Sequence, residues 1–289
     1  MGGRRHEEAE LSGEIVLDTG SQVVTLLEDS ARPGAYLVRI GGTDQSYVDL
    51  ADPLRLEFDY VQRIADVVDE IAPDGERIRI VHVGGAALTL PRYVTATRPS
   101  SAQIVLEPDE ELTRLVREHL PLPRQSGIKI RPVDGRAGIA AMRDGFADLV
   151  IVDAFAGARV PAELTTVEFL TELRRVVGPS GAVVINVTDS GGLAYSRRVL
   201  AGVAQVFTHV VYGAEPATLK GRRFGNVILT GSAAPLPEQA LIRRGAGSMF
   251  PYRLMTGNQI RRFIGSATPF TDDDAETSPD PVTGGAHFG

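Results

Sequence analysis

The sequence predicts an α/β chain: a mostly parallel, doubly wound sheet of seven strands, preceded by a small antiparallel β unit. Three observations carry that reading. From Ile78 to Thr230, short β-branched runs alternate with amphipathic segments, the pattern of strands joined by crossover helices. Before Leu50 the runs are separated only by turn residues, as in hairpins. Small residues follow the first strand of the alternating region and acids follow the next three, as in ligand-binding α/β sheets.

The elements follow in chain order. Glu14-Ile15-Val16-Leu17, Val23 to Leu27, Ala35 to Ile40 and Ser46 to Leu50 are strand candidates, and Asp18-Thr19-Gly20, Arg32-Pro33-Gly34 and Gly41-Gly42 supply the turns. Asp52-Pro53 reads as the N-cap and first residue of a helix ending near Ala72. Strands are then expected at Ile78–Val83, Gln103–Leu106, Ile128–Val133, Asp148–Val152, Ala182–Val187, His209–Tyr212 and Asn226–Thr230. Helices fit Leu88–Thr97, Glu110–His119, Arg136–Arg143, Thr166–Val177, Leu193–Phe207 and Glu238–Arg244, with Thr165 and Glu168 at capping-box spacing. Only a loop joins the last two strands, so a hairpin should place one antiparallel strand at the sheet edge. The expected organisation is a β-strand unit over 1–50, a Rossmann-like ligand-binding domain over 51–265 and a disordered acidic tail over 266–289, where three aspartates sit among prolines and glycines.

Composition narrows the function. A hydrophobic fraction of 43% supports a sizeable core. The absence of cysteine removes disulfides and thiolate chemistry and fits a cytoplasmic protein. A net charge of −7 without a long basic cluster argues against a nucleic-acid partner. No apolar run has the length of a membrane span, and Met1 to Glu10 is charged with no apolar core after it, so neither membrane insertion nor a signal peptide is expected. The five histidines are scattered, no metal-ligand spacing is found, and His82 reads as a satisfied residue inside a strand.

The chemistry gathers at the strand ends. Gly84-Gly85-Ala86-Ala87 ends the first strand, Glu107 the second, Asp134-Gly135 the third and Asp153 the fourth. Small residues at a strand-to-helix turn let a ligand approach the backbone. A carboxylate at the tip of the next strand can take two hydrogen bonds from ribose hydroxyls. Glu107 would therefore bind ribose, Asp134 an adenine amino group, and Asp153 a cationic or reacting amine. Each acid alone has another explanation, since carboxylates favour helix N-termini. Their joint placement points to a nucleoside-containing cofactor. The glycine turn lacks the full Gly-x-Gly-x-x-Gly pattern, so nicotinamide binding is weakly supported. The basic stretch Lys220 to Asn226 reads as a solvated hairpin loop.

Gln45-Ser46-Tyr47-Val48-Asp49, the Leu-x-Phe-x-Tyr run from Leu56 to Tyr60, His82 to Pro91, Asp134-Gly135-Arg136 and Asp153-Ala154-Phe155 together resemble the spermidine synthase-like proteins of bacteria, over about residues 13 to 231. The resemblance implies a Rossmann-like class I methyltransferase fold with an N-terminal β unit, a cofactor that is S-adenosylmethionine or its decarboxylated form with no metal, and a small amine-like acceptor. It also implies a homodimer. It assigns Gln45, Gly84, Gly85 and Glu107 to the cofactor, Asp134 and Gly135 to adenine, and Asp153 to catalysis. Departures accompany it. Ala87 and Ala156 stand where the family carries acids, and Phe58-Asp59 replaces a Tyr-His pair. Each ammonium of a buried dication needs a carboxylate partner, so putrescine is expected to be a poor acceptor unless Asp49, Asp59 or Glu163 folds into the site. Aminopropyl transfer, methyl transfer and a non-catalytic nucleoside-binding role all remain open at this point.

Overall fold

A computed structural model describes residues 11–281. The chain opens with an antiparallel sheet of β1 (Leu11–Asp18), β2 (Val23–Asp29), β3 (Ala35–Ile40) and β4 (Thr43–Asp49), paired in sequence order. Helix α1 (Asp59–Ile71) leads into a second sheet. This contains β5 (Arg79–Val83), β6 (Ala102–Leu106), β7 (Ile128–Arg131), β8 (Leu149–Val152), β9 (Ala182–Asp189), β10 (His209–Ala214), β11 (Gly225–Ser232) and β12 (Arg253–Thr256). Between them run α2 (Thr89–Thr97), α3 (Glu110–His119), α4 (Gly135–Ala140), α5 (Val167–Val177), α6 (Ala194–Val206), α7 (Pro216–Leu219) and α8 (Glu238–Gly247), and α9 (Gly257–Ile264) follows β12.

The larger sheet has the order β12-β10-β11-β9-β8-β5-β6-β7. As expected, β5 and β6 are parallel neighbours, with Ile80 opposite Gln103 and Val83 opposite Leu106. Strand β5 also pairs in parallel with β8 on its other side. The chain thus builds β5, β6 and β7 in one direction and then crosses to β8, so the order reverses between β5 and β8, where such sheets bind ligands. The central strands are apolar runs because helices cover both faces. Val81, Val83, Val150, Val152 and Ile185 pack under α5 and α6, while Ile80, Ile151 and Val184 pack under α1. The N-terminal sheet joins through Val24, Leu26, Val38 and Val48, which share a core with Leu112 and Val116 of α3.

The structure corrects five expectations. The large sheet has eight strands rather than seven, because four half-exposed residues, Arg253–Thr256, add an edge that carries little apolar signal. The antiparallel hairpin strand β11 is not at the edge. It is inserted between β9 and β10, with Gly225 to Ser232 paired to Asp189 to Ala182. Helix α1 begins at Asp59, not at Pro53. Asp49 Oδ1 accepts the Ala51 and Asp52 N–H groups and Asp52 Oδ1 accepts that of Leu54, so the Asp52-Pro53 signal forms turns instead. Finally, residues 266–281 are not a disordered tail. Phe270 is buried against Tyr195 at 5.3 Å between ring centres, Asp272 pairs with Arg136, and Asp274 pairs with Arg198. The rest of the expected tail, 282–289, lies outside the described residues, as do residues 1–10. At the start of α5, Thr166 rather than Thr165 is the cap, accepting from Phe169 N.

No helix among the described residues is long and apolar enough to cross a membrane. The ordered segment after α9 has a measurable consequence. Phe270→Ala should cost about 3–4 kcal/mol in urea melts, the scale of deleting a buried aromatic ring. A variant as stable as the parent would show that this segment is detached from the core.

Candidate active site

The close approach of two strand ends shapes the site. Gly84, just after β5, has φ of +89°, and a Cβ there would lie 2.3 Å from the backbone oxygen of Asp153. Only glycine allows both that backbone conformation and that contact. Gly85 and Gly135 are small for related reasons. A Cβ at 85 would meet Val105 Cγ1 at 2.8 Å, and one at 135 would meet Val83 Cγ1 at 2.3 Å. These glycines are therefore demanded first by packing between strand ends, and the backbone exposed to the cleft follows from that packing.

A cleft of about 410 Å³ opens at this point, within the usual range for small-molecule sites. All seven residues selected from the sequence line it: Gln45, Gly84, Gly85, Glu107, Asp134, Gly135 and Asp153. Gln45 arrives from the other sheet. The β3–β4 register runs from Val38 opposite Ser46 to Arg39 opposite Asp44, which leaves Gln45 as an extra residue in a bulge. Such bulges re-aim a side chain.

Glu107 is held by backbone. Its Oε2 accepts Gly85 N at 3.1 Å and its Oε1 accepts Asp109 N at 3.1 Å. Burial raises its pKa, opposed by the N–H groups of Asp109, Gly85 and Ala86. A carboxylate offers about four lone-pair positions, so acceptor capacity remains for a ligand. The helix-entry role belongs to Asp109, whose Oδ1 accepts Leu112 N. Asp134 does cap a helix: its Oδ1 accepts Ala137 N at 2.8 Å. It is exposed at the cleft rim.

Asp153 sits on the opposite side. Burial pushes its carboxyl up to about 6, and a hydrogen bond from Asn186 opposes the shift. Asn186 Nδ2 donates to Asp153 Oδ1 at 2.9 Å, while Asn186 Oδ1 is buried without a partner among the described residues. Tyr60 lines the same end. Burial, then the charge of Asp153, lifts its phenol well above the ordinary value, so it stays neutral at physiological pH. The sequence reading missed the contribution of Asn186. It is a polar residue flanked by Ile185 and Val187 in a buried strand, and that is the available signal.

After Asp153 the chain forms one wall of the cleft through residues 154–164. Gly157 and Ala158, with φ of 56° and 64°, turn a small hairpin in which Ala156 N donates to Arg159 O at 2.8 Å. Ala156 lines the cleft, whereas Ala87 is buried away from it. Of the three acids that could restore charge, Glu163 lines the cleft. Asp49 binds its own turn, and Asp59 is buried near Glu215, Arg63 and Arg223, outside the lining. His82 is buried and bonded to Gln103 at 3.0 Å, with burial lowering its pKa to about 4. The Lys220 to Asn226 stretch contributes nothing to the cleft lining, and Arg223 in it pairs with Glu215.

Comparison with known proteins places this geometry in a context. A probable spermidine synthase from Corynebacterium glutamicum superposes with a TM-score of 0.84 at 34% identity, covering 90% of this chain and 97% of that one. Spermidine synthase from Thermotoga maritima superposes at 0.56 with 14% identity over 88% of this chain and 87% of that one, a likeness of fold. The polyamine aminopropyltransferase of Chromobacterium violaceum is 26% identical over 145 residues, 50% of this chain and 54% of that protein. The curated relatives are matched over 18% to 54% of their length. No protein-family model matches the chain.

The electrostatics of Asp153 can be tested without any ligand. Its folded-state pKa lies above the ordinary 3.8, so between that value and about 6 the folded chain binds the proton more readily than the unfolded one. Stability should therefore fall as pH rises through that window, and the cost is fully present above it. Asp153→Asn should raise stability at pH 7.5 by on the order of 1–2 kcal/mol, with the gain vanishing near pH 4. Denaturant melts at the two pH values decide it, and an equal change at both would contradict a desolvated carboxylate.

Proposed function

We propose that this chain, which belongs to the spermidine synthase-like family, is a transferase that binds an S-adenosyl sulfonium ligand and moves an alkyl group to an amine. Decarboxylated S-adenosylmethionine is the preferred donor, and aminopropyl the preferred group. The observation that carries the reading is the pairing of two carboxylates across one cleft. Glu107 is fixed by backbone with acceptor capacity to spare, and Asp153 is half-buried beside a neutral phenol and an amide.

Bound in the cleft, a sulfonium ligand supplies an electrophilic carbon and a neutral thioether leaving group. The chain's residues supply the rest. Glu107 accepts the ribose hydroxyls, and Asp134 and Gly135 hold the adenine edge at the α4 N-terminus. Gln45, projected by its bulge, faces the ligand from the N-terminal sheet. Asp153 accepts the proton released as the amine nitrogen forms its new bond to carbon and the carbon–sulfur electrons return to sulfur. A carboxylate with a pKa near 6 is better matched to that task near neutrality than one near 4. Asn186 keeps Asp153 oriented. Its unpartnered buried carbonyl oxygen supports an acceptor that brings an N–H donor.

The acceptor end holds the half-buried Asp153, and Glu163 lines the cleft only as an exposed, water-screened side chain, where the family pattern offers several carboxylates. The acceptor is then less charged than a diamine, or larger and anchored beyond the cleft. Methyl transfer from S-adenosylmethionine is the second reading, favoured by the neutral Ala156 at the acceptor end.

Calorimetry with S-adenosylmethionine, its decarboxylated form and methylthioadenosine tests the cofactor half. Glu107→Gln should weaken the tightest of them by about 1.5–3 kcal/mol, roughly ten- to hundredfold, as expected for lost hydrogen bonds to a charged group. Unchanged affinity in the folded variant would remove Glu107 from the site. The acceptor half is tested by turnover with decarboxylated S-adenosylmethionine and putrescine. Turnover should be slow and should rise in Ala156→Asp, and a rate of about one per second in the parent, ordinary for an enzyme, would refute the charge argument.

A further inference from the structure

The segment after α9 crosses behind the cleft wall rather than trailing away. Phe270 O accepts Val167 N at 2.9 Å, satisfying a first-turn donor of α5. The Phe270 ring is covered by the Arg198 guanidinium at 3.9 Å. Asp272 pairs with Arg136, which directly follows Asp134-Gly135 and also donates to Glu163 O in the wall at 3.1 Å. Near its end the segment places Ser278, which is completely buried. Ser278 Oγ accepts Val160 N at 2.9 Å and is bonded to Thr188 Oγ of β9 at 3.1 Å, while Ser278 N donates to Val160 O at 3.3 Å. Arg159 Nε donates to Ser278 O at 2.8 Å. Ser278 thus bonds both the wall and the central sheet.

We propose that residues 266–281 form a strap that fixes the 154–164 wall of the cleft, with Ser278 as its anchoring, positioning residue. The wall carries Phe155, Ala156, Pro161 and Leu164 on its cleft side. It has no strand or α-helix of its own beyond the Ala156–Arg159 bridge and a single 3-10 turn at Ala162–Leu164. Something outside it must hold it in place, and the strap is the neighbouring segment that bonds its backbone at Val160. The ion pairs of the strap are half-exposed and screened by salt, so they add little. The buried hydroxyl matters more, because its removal leaves Val160 N without its acceptor.

The test is amide hydrogen exchange in the ligand-free full chain. In Ser278→Ala, exchange across 155–164 should rise about tenfold while β5 and β8 are unchanged, the signature of a locally released segment. Thr188→Val should loosen the same peptides by cutting the strap from the sheet. Asp274→Asn, which removes the exposed Arg198 pair at Oδ2 while the amide oxygen can still accept from Thr271 within the strap, should leave them as in the parent. Parent-like exchange in both of the first two variants would overturn the proposal, and so would a rise spread evenly over the sheet. A second readout rests on the adenosyl-site reading: methylthioadenosine should bind about five- to tenfold more weakly to Ser278→Ala, through a looser wall. If the parent binds no methylthioadenosine, the adenosyl reading fails while the exchange result still judges the strap.

Discussion

The contact between Gly84 and the backbone of Asp153 is the constraint on which the cleft depends. Asp153 N donates to Val83 O at 2.9 Å, so the chain leaving β8 is tied to the end of β5. With a Cβ at 84 that tie could not form, since the atom would stand 2.3 Å from Asp153 O. The tie sets where Asp153 points. On the other flank, Gly84 N donates to Leu106 O at 3.0 Å and Gly85 N to Glu107, which sets where Glu107 points. A two-glycine turn therefore fixes two carboxylates on opposite sides of one opening, at the place where the strand order reverses.

The energetics of the two acids differ, and the difference is informative. Both are raised by burial, but Glu107 is repaid by three backbone N–H groups, whereas Asp153 has one hydrogen bond, from Asn186. A unit of pKa shift corresponds to about 1.4 kcal/mol between protonation states. Holding Asp153 near 6 thus costs the fold stability at neutral pH, as expected where a site is shaped for a ligand or a proton rather than for folding. A cationic ligand beside Asp153 would offset that cost, because a nearby positive charge favours the ionised form. The same logic explains why the acceptor end matters so much. With Ala156 neutral and Asp59 engaged elsewhere, a second positive charge has one cleft acid left to meet it, Glu163, whose carbonyl is held at the α4 end by Arg136.

Much of this architecture was legible in the sequence. The central strands read correctly because they are buried on both faces and are nearly continuous apolar runs. Helix α3 read to the residue, from Glu110 to His119, because Asp109 and two glutamates mark its first turn. The alternation placed the strand-end acids at one edge of the sheet, and Glu107, Asp134 and Asp153 do line one cleft there. Other features depended on contacts far apart in sequence. Asp272 and Asp274 look like a solvated acidic run until Arg136 and Arg198, 136 and 76 positions away, are brought beside them. Strand β12 has four residues and pairs along one side only, with β10. Asp52-Pro53 imitates a helix start, and only the capture of neighbouring N–H groups by Asp49 shows otherwise. The bulge that projects Gln45 has no sequence signature, since it comes from a mismatch of register between β3 and β4.

The central claim is that one adenosyl ligand spans the cleft from Glu107 to Asp153. The most direct measurement is a crystal structure of the full chain grown with methylthioadenosine. The account predicts ribose hydroxyls within hydrogen-bond distance of Glu107, the adenine at Asp134-Gly135, and the thioether sulfur on the Asp153 side of the cleft. A ligand bound elsewhere, or one in the cleft with Glu107 making only its contacts to Gly85 and Asp109, would contradict it.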